Sequence, residues 1–577
     1  MKMRCNLRSQ NAGGYALLLV LIMSVATLTI LSAALSWCTT SNTINQRNNQ
    51  YFRTLAAAEA ASEKVISQMA SDYQNQGDPL VTAHLDNYRH AVPLTNESTT
   101  WSGYEFKDGQ GNLNRTYVEY VPPTHAYVLL NSQYSGLYGY ATSYRIISNA
   151  RELNNSINLS CALEQDIQVA TIPVFQFAIF YNLDLEINPG AAMTVTGPVH
   201  SNQTNYIHPG NTLTFNSDVT ASGPIILDKK PGDPLIRSGG TVIFQAEHDA
   251  GLSTMNLPIG TNNSPTAVRE VVEIPPAGED PASPMGKQRL YNEADLIILV
   301  SNNTVVAKSG LSNNFGTVFS SQVSYFVKTN VSFFNKRENK TIQTTEIDIS
   351  KMIIWDHTNT YAQGLPFGDV RTVYVEDFRT QTSSVENGIR LVNGSTVLPH
   401  GLTVASPNPV YIEGNYNATG AALNSTNTSG TLPAAVIADA VTILSPNWSD
   451  ANSGSSLGSR GAANCTVNAA FLAGIVETTS GNYSGGVENF PRFLEDWGGR
   501  TFTYNGSMVV MYPSKFATGL WQGTGSAIGI YNPPTRNWAF DQNFRDPSKV
   551  PPSTPEVRTM IRGNWKAIAP NTVVAGG

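Results

Sequence analysis

The pattern of hydrophobic and polar residues changes abruptly near the N-terminus. Residues 15–37 form a run of 23 residues without a charge, which exceeds the roughly 20 apolar residues that a helix needs to cross a bilayer. The leader over residues 1–14 carries Lys2, Arg4 and Arg8 and no acid, and such basic residues hold a flanking segment in the cytoplasm. The sequence therefore predicts a transmembrane segment over 15–37, with the rest of the chain beyond the membrane.

An amphipathic helix is predicted to continue the apolar run as far as residue 76. Apolar residues in this second half recur every three or four positions, which places them on one helix face. Neither Gly nor Pro occurs between residues 15 and 76, whereas Gly77-Asp78-Pro79 ends the pattern. A single helix over 15–76 would be about 90 Å long. The apolar positions of the amphipathic continuation over 38–76 are Tyr51, Leu55, Ala58, Val65, Met69 and Tyr73.

Three kinds of N-terminal signal combine a basic leader with an apolar run. A secretory signal peptide has a shorter apolar region of about 7–15 residues, and a lipoprotein signal needs small residues where Trp37 precedes Cys38. A prepilin-type signal is cleaved before the apolar run, and Gly13-Gly14 stands at that boundary. We therefore expect cleavage between Gly14 and Tyr15, with an ordinary single-pass anchor as the alternative.

The residues around this boundary carry a resemblance to a known family. Gly14 is followed by the run YALLL over 15–19, and the alanine-rich stretch LAAAEAA lies at 55–61. Together these elements resemble the N-terminal domain of PilX-type minor pilins and, more loosely, the tip pseudopilin of type II secretion. The resemblance covers about the first 70 residues. It implies processing by a prepilin peptidase, insertion into membrane lipid, and assembly with other pilins or pseudopilins through the N-terminal helix.

One position departs from the pattern of shaft-forming pilins. Major pilins place a glutamate at the fifth residue after cleavage, and counting from Tyr15 that position is Leu19. The glutamate offsets the N-terminal ammonium of a neighbouring subunit, and an isolated charge within lipid is unfavourable. The resemblance therefore implies a minor, initiating or tip-like subunit, or a protein that stays in the membrane.

The remainder of the chain is predicted to be mainly β. Residues 77–172 alternate like strands of a β-rich head. Residues 173–515 predict a parallel β-helix or β-solenoid body, with a β-sandwich as the alternative and a loop insertion over 228–295. The phrase TGPV at 196–199 returns as SGPI at 222–225, which suggests a 26-residue turn. The aromatic, Pro-rich residues 516–577 predict a strap that covers the last turn, or aromatic rings that stack on a surface glycan.

Composition limits the partners and the redox chemistry. The net charge is −7, which does not favour nucleic-acid binding, because that requires a basic face. Cys5 lies in the leader and Cys38 at the outer edge of the membrane segment. Cys161 and Cys465 are candidates for a disulfide in an oxidising compartment, and the alternative is two separately buried thiols.

Motifs that carry chemistry are scarce. No CxxC, HExxH, GxSxG or phosphate-loop motif occurs, so we expect neither a metal nor a cofactor. Because parallel β-helices often carry enzymes that act on polysaccharide, paired carboxylates were candidates for acid–base chemistry, and scattered histidines for metal binding. The carboxylate pairs are Asp184 with Glu186, Glu346 with Asp348, and Glu495 with Asp496, and the histidines are His200, His208 and His248.

Two functions of different classes follow. The first is a non-catalytic structural or adhesive subunit of a type IV pilus or type II secretion apparatus. It would be held in the inner membrane by one helix, with its body in the periplasm or on the cell surface. The second is a membrane-anchored enzyme that acts on polysaccharide outside the cytoplasm. The Gly14–Tyr15 boundary favours the first, because an anchored enzyme does not need it.

Overall fold

The computed structural model describes residues 13–153, 157–237, 239–309, 320–358 and 370–570. The leader residues 1–12 therefore lie outside the described residues. The first element is α1 (Gly13–Gln76), a single helix of 64 residues, about 96 Å long. Gly77 ends it with a φ of 73°, a conformation that glycine adopts without strain. The predicted long helix is confirmed.

The head consists of two short helices and an antiparallel sheet that packs on the second half of α1. The sheet runs β1-β3-β4, and β2 pairs with the same edge of β3 as β1 does. Apolar residues of α1 from Val65 to Tyr73 pack with Tyr144, Ile146, Ile167 and Val169 of the sheet. The elements are α2 (Asp78–Ala83), α3 (Leu85–Arg89), β1 (Tyr104–Lys107), β2 (Tyr117–Leu129), β3 (Tyr138–Glu152) and β4 (Ser160–Pro173).

The body begins after β4 with short strands that pair in parallel with strands further along the chain. Val199 pairs with Val219, Leu185 with Asn205, and Met193 with Leu213, so each of three ladders advances by 20 residues. The strands are β5 (Ile179–Tyr181), β6 (Leu185–Ile187), β7 (Met193–Val195), β8 (Val199–Ser201), β9 (Asn205–Ile207), β10 (Leu213–Phe215), β11 (Val219–Ala221), β12 (Ile225–Ile226), β13 (Val242–Phe244) and β14 (His248–Asp249).

The second part of the body adds longer strands and four short helices. These elements are α4 (Pro265–Arg269), α5 (Leu290–Glu293), β15 (Leu296–Val300), β16 (Val305–Ser309), α6 (Ser320–Val323), β17 (Val327–Asn335), β18 (Lys340–Asp348), α7 (Ile349–Thr358), β19 (Thr372–Asp377), β20 (Val385–Val392), β21 (Leu402–Ala405), β22 (Val410–Glu413), β23 (Ala434–Ala438), β24 (Val441–Leu444), β25 (Cys465–Asn468), β26 (Ala470–Ala473), β27 (Arg492–Phe493), β28 (Thr501–Gly506), β29 (Met508–Val510) and β30 (Thr535–Phe540).

One sheet of 11 strands joins the two parts of the body. Its order is β14-β11-β8-β5-β29-β26-β23-β21-β19-β15-β16, and it is parallel except for the β15–β16 hairpin. The chain therefore runs outward from β5 to β14, crosses to the far end, and returns from β15 to β29, which pairs with β5. Most of the long hydrophobic core lies beneath this sheet and the shorter ladders beside it.

The crossing segment differs from the predicted loop insertion over 228–295. Met255, Leu257 and Ile259 are buried in the body core, as are Val268 and Val271. Burying an apolar side chain of this size contributes about 2 kcal/mol relative to leaving it in water. The part after residue 250 is thus a packed connection between the two ends of the body. The sequence did not reveal this, because the apolar residues of the segment are interspersed with Pro, Gly and charged residues.

The 26-residue echo predicted the wrong register. Ile225 pairs with Asn205, and Val199 pairs with Val219. A better signal was present, because Ile-x-Pro-Gly occurs at both 187–190 and 207–210, an offset that matches the observed ladders. The TGPV and SGPI segments therefore do not occupy equivalent positions in successive turns of the body. Similar Gly-Pro sequences occur at different bends of the chain.

The end of the chain returns to the head. The last strand, β31 (Glu556–Ile568), pairs antiparallel with β4 and completes the head sheet. Glu556 lies opposite Pro173, so the body leaves the head sheet at the end of β4 and re-enters it at the start of β31. The strap predicted over 516–577 differs from this arrangement. Within that range, β30 extends a body ladder beside β28, and β31 belongs to the head.

Candidate functional site

The N-terminal half of α1 is an apolar helix with no protein packed against it. Tyr15–Gln76 is the helix, among the described residues, that is long and apolar enough to cross a membrane. Its most apolar window has a mean hydropathy of 2.5 and no part of that window is buried. Leu19 is 63% exposed and Trp37 is 76% exposed. A surface this apolar on a soluble protein marks an interaction site or a membrane segment.

Several hydroxyl groups within this apolar run are satisfied inside the helix. Ser24 donates to the Val20 carbonyl oxygen at 2.6 Å, and Thr29 donates to the Ala26 carbonyl oxygen at 2.8 Å. Thr27 makes the same contact one turn back, to Met23. Because no water is available inside a bilayer, polar groups there must find such internal partners. These helix-internal bonds make the run compatible with a lipid or filament interior.

The boundary predicted for processing lies at the start of this helix. Gly14 and Tyr15 both fall within α1, and Tyr15 is 80% exposed. The preceding residues 1–12 lie outside the part of the chain that the structure describes. Cleavage between Gly14 and Tyr15 therefore stays a prediction.

The second half of α1 is held against the head sheet by small residues and hydrogen bonds. Ala58 and Ala61 are fully buried and pack with Leu163, because alanine lets the helix approach the sheet closely. The Ser148 hydroxyl donates to the Ala58 carbonyl oxygen at 2.6 Å. The Gln50 amide donates to the Ile157 carbonyl oxygen at 2.7 Å. The alanine-rich stretch that carries the family resemblance is thus the docking face of the helix.

The C-terminal end of α1 is tied to the last strand of the chain. The Arg558 guanidinium donates to the carbonyl oxygens of Tyr73 and Gln74 at 3.1 and 3.2 Å, in the last turn of the helix, where carbonyl groups lack intrahelical partners. The Tyr73 oxygen also accepts from the Gly77 amide at 2.9 Å. The Gln74 amide donates in return to the Arg558 carbonyl oxygen at 2.9 Å. Sequence reasoning missed Arg558, and no local pattern marks it, because its partners lie at the opposite end of the chain.

The structure does not form the predicted disulfide. Cys161 and Cys465 are both free and buried. The Cys161 thiol donates to the Tyr51 carbonyl oxygen in the head, and the Cys465 thiol donates to the Gly414 carbonyl oxygen in the body. Burial raises the pKa of Cys161 to about 11 and raises that of Cys465 further. The two thiols belong to different parts of the fold, which matches the alternative of separate buried cysteines.

The first candidate carboxylate pair lies at one small cavity. Asp184 pairs with Lys230 at 3.0 Å. Glu186 accepts hydrogen bonds from the hydroxyls of Thr478 at 2.7 Å and Ser484 at 3.0 Å. Burial raises the pKa of Glu186. The two carboxylates do line one cavity, of about 20 Å³, but each is engaged by its own partner.

The other carboxylates also hold parts of the fold together. Glu346 pairs with Arg390 at 2.6 Å, and Asp348 accepts from the Lys351 amide at the start of α7. Glu495 accepts from both the amide and the hydroxyl of Ser445, at 2.6 and 2.7 Å. Each of these three carboxylates is thus held by a partner within the fold.

The histidines are spread over separate environments. His200 is buried beside Phe180, and burial lowers its pKa to about 4. His248 stacks on Phe244 with ring centroids 4.4 Å apart, and His208 lies 3.7 Å from Asp228. Within the described residues no group of three or more His, Cys, Asp or Glu side chains is placed to hold a metal ion.

The aromatic residues of the C-terminal region enter several parts of the fold. Tyr531, Phe540 and Phe544 are buried in the body core, whereas Trp565 on β31 is 45% exposed. Trp538 lines a groove of about 590 Å³ together with Thr194, Thr214 and Arg536. Trp521 donates its indole hydrogen to the Tyr531 hydroxyl at 3.0 Å. Three of the rings thus build the core, whereas Trp538 lines a groove and Trp565 is partly exposed.

Comparisons with known proteins found only a distant similarity to a solved structure. No family model matches it, and no curated protein matches it either. Among solved structures it is similar to the competence-associated pilin ComZ from Thermus thermophilus. The identity is 11% over 90% of this chain and 98% of that chain, with a TM-score of 0.26. These comparisons do not confirm the PilX-type resemblance.

Proposed function

We propose that the chain is a minor pilin or pseudopilin-like subunit, non-catalytic, which carries a large β body on a membrane-anchored helix. One observation carries the proposal: the first half of α1 is an exposed apolar helix, and its second half packs on an antiparallel sheet through buried alanines. An ordinary anchor needs only the first half. A subunit that must later leave the bilayer and join a bundle of like helices needs both halves in one rigid rod.

The geometry supports a display role for the body. The body joins the head at Pro173 and Glu556, next to the C-terminal end of α1, where Arg558 contacts Tyr73. From Leu35 to Tyr73 the helix rises about 57 Å at 1.5 Å per residue. The helix therefore holds the body well clear of the apolar segment, in the periplasm or at the cell surface, where it can meet other pilins or a surface glycan.

Maturation by a prepilin peptidase is part of this proposal. The basic leader would keep the cleavage boundary at the cytoplasmic face, and Gly14 would fit a peptidase cleft that excludes larger side chains. Gly14→Val should block processing, so that the chain keeps its leader and is absent from sheared surface filaments. The matched control is Gly13→Val, which adds the same bulk one residue earlier and should still be processed. Equal processing of both variants would contradict the proposal.

Leu19 indicates a low copy number. If Tyr15 is the mature N-terminus, its ammonium finds no carboxylate on a neighbouring copy, and an unpaired charge in an apolar core is unfavourable by several kcal/mol, on the order of the penalties measured in membranes. The subunit should therefore accompany a glutamate-bearing pilin. Quantitative proteomics of sheared filaments tests this. Trace amounts beside another pilin support the proposal, and filaments made chiefly of this chain would overturn it.

We further infer that the body is a β-solenoid. The support is the set of parallel ladders that advance by 20 residues along each of three directions, because stacked turns bury a continuous core that no single turn can build. Sandwich sheets are mainly antiparallel. Density from cryo-electron microscopy should show stacked turns about 4.8 Å apart along one axis. Two facing antiparallel sheets would contradict the inference.

No specific observation on the described residues favours the alternative of an enzyme that acts on polysaccharide. Its candidate carboxylates are held by Lys230, Arg390 and Ser445, in contacts that a structural role explains. The proposed function therefore remains that of a minor pilin or pseudopilin-like subunit. Its proposed interaction partners are other pilins, the prepilin peptidase and membrane lipid.

A further inference from the structure

One end of the body is formed by three strands that each pair on one side only. β12, β13 and β14 pair with β9, β10 and β11, and among the described residues each is the last strand of its sheet. The three ladders advance together along the chain, so their last strands lie at the same end of the body. The free sides of β12, β13 and β14 are called the open edge below.

The open edge presents backbone groups of β13 that have no strand beside them. The Gln245 amide donates to the Phe215 carbonyl oxygen of β10 at 2.9 Å. Because alternate residues of a parallel strand direct their backbone groups to opposite neighbours, Val242 and Phe244 direct theirs away from β10. Within the described part of the chain, β13 pairs with β10 alone. A free edge of this kind is a template for a further strand.

The apolar core is also incompletely covered at the open edge. Leu213 and Phe215 of β10 are fully buried, whereas Val242 and Phe244, their partners in β13, are only half-buried. Leu227, which follows β12 directly, is 60% exposed. These apolar side chains lie where one more strand would bury them, as the next turn does for every earlier turn of a stacked structure.

An acidic corner adjoins the open edge at β14. Glu247 precedes this strand and Asp249 ends it, and both are exposed. Asp218 lies beside them and accepts from the Glu247 amide at 3.3 Å. Burial, together with the negative charges of Glu247 and Asp249, raises the pKa of Asp218. Among the described residues no cation forms an ion pair with any of these three carboxylates.

The acidic corner determines which occupant fits the open edge. A second copy that docked by the same edge would add three more carboxylates and a further net charge of −7. An extended protein segment with a lysine or arginine at this corner would instead neutralise the carboxylates. Its backbone would pair with the free groups of β13, and its apolar side chains would cover the core, as in other cases of strand addition.

We propose that the open edge is a docking surface for an extended segment of a partner protein, which runs along β13 and β14 as the next strand. Apolar side chains of the segment lie over Val242 and Phe244, and a basic side chain lies against Glu247 and Asp249. The surface is remote in sequence from α1, and the proposal does not depend on the pilin function.

The test uses two peptide probes that copy residues 241–249, the part of the chain that the partner would extend. One has the native sequence TVIFQAEHD, and the other carries Glu247→Lys and Asp249→Lys. Fluorescence anisotropy of the labelled peptides measures their binding to the detergent-solubilised full chain. At low ionic strength the basic peptide should bind about tenfold more tightly than the native one, and salt should reduce the difference.

Two variants of the full chain test the backbone part of the proposal. Val242→Pro removes an amide that points away from β10, which an edge strand tolerates, and it should abolish binding of the basic peptide. Val242→Thr keeps the amide and the branched shape, so it should still bind and serves as the matched control.

A charge reversal keeps the test decisive if Val242→Pro does not fold. A full chain with Glu247→Lys and Asp249→Lys should prefer the native peptide over the basic one. Equal affinities of the two peptides for the wild type, no binding of either, or undiminished binding to Val242→Pro would each overturn the proposal. Self-association of the wild type that Val242→Pro abolishes would also overturn it and assign the open edge to a second copy.

Discussion

The Arg558 guanidinium donates to the carbonyl oxygen of Tyr73 at 3.1 Å, across 485 residues of sequence. Its Cζ also lies 5.7 Å from the centre of the Tyr73 ring, a cation–π distance. This contact closes the head, because it binds the last strand of the chain to the end of the first helix. The whole body is inserted between these two elements, so the head is complete only after the entire chain has been made.

Replacing Arg558 should loosen the end of α1. Arg558→Met removes the side-chain donor of the Gln74 carbonyl oxygen and leaves the Tyr73 carbonyl oxygen with the Gly77 amide alone, which costs about 2 kcal/mol. Hydrogen exchange of the amides over 66–76 should accelerate accordingly. The control is Arg562→Met on the same strand. Arg562 pairs with Glu63, but both side chains are about half exposed, and such surface pairs contribute little. Equal effects of the two variants would contradict a capping role for Arg558.

Removing the body should leave a head that still folds. Pro173 and Glu556 face each other across β4 and β31, a spacing that a two-residue Asn-Gly turn can bridge. A chain that lacks 174–555 and carries this turn should keep its protease-resistant helix and sheet, since the clusters around Val65 and Ala58 belong to the head alone. Rapid proteolysis of the shortened chain within 77–173 would show that the head depends on the body.

The body should lose stability as the pH rises from about 4.5 to 7. Burial raises the pKa of Glu488 from 4.5 to about 7, so in this range the folded state binds a proton that the unfolded state has released. The associated stability is fully present below pH 4.5 and is lost as the pH rises through 7. Glu488→Gln should make this part of the stability profile less steep but not flat, because burial also raises the pKa of Glu293, Glu376, Glu386 and Glu495 to about 7. The exposed Asp249→Asn should leave the slope unchanged. An unchanged slope in Glu488→Gln would show that Glu488 does not contribute to the pH dependence.

Two glycines that precede strands of the same ladder should tolerate alanine very differently. A Cβ on Gly240 would lie 1.9 Å from the Asn211 carbonyl oxygen, whereas one on Gly190 would meet nothing within 4 Å. Since the Gly240 contact is with backbone, neither side can move easily, and overpacking of this kind costs about 1–3 kcal/mol. The midpoint of chemical unfolding should therefore lie at a lower denaturant concentration for Gly240→Ala than for Gly190→Ala. Equal midpoints would mean that the turns do not stack as closely as described.

The elements that the sequence predicted well are those with local causes. The single helix over 15–76 and its end at Gly77 follow from an unbroken apolar and amphipathic pattern. The alternating strands of the head have the same kind of local signal. The body strands are often only three residues long, as in β5 to β11, so their register depended on recognising equivalent turns. The Ile-x-Pro-Gly repeat carried that information, and the TGPV echo did not.

Long-range pairing could not be predicted from local pattern. The partner of β31 lies in β4, at the other end of the chain, and no periodicity links them. The same reason explains Cys161 and Cys465, whose residue type suggested a pair although the fold places them apart in head and body. For the candidate site, the sequence identified the apolar helix and most of its docking face, but not the residues that hold it. Ala58, Val65, Met69 and Tyr73 are buried, whereas Tyr51, predicted on the same face, is 38% exposed.

The mass of the N-terminal peptide of the protein purified from its native membrane tests the central claim most directly. A pilin-like subunit should begin at Tyr15, because Gly14 is the last residue of a leader that the peptidase removes. A mature chain that begins at Tyr15 is the predicted result. A chain that still begins at Met1, in membranes where other prepilins are processed, would contradict the account and leave α1 as an ordinary anchor.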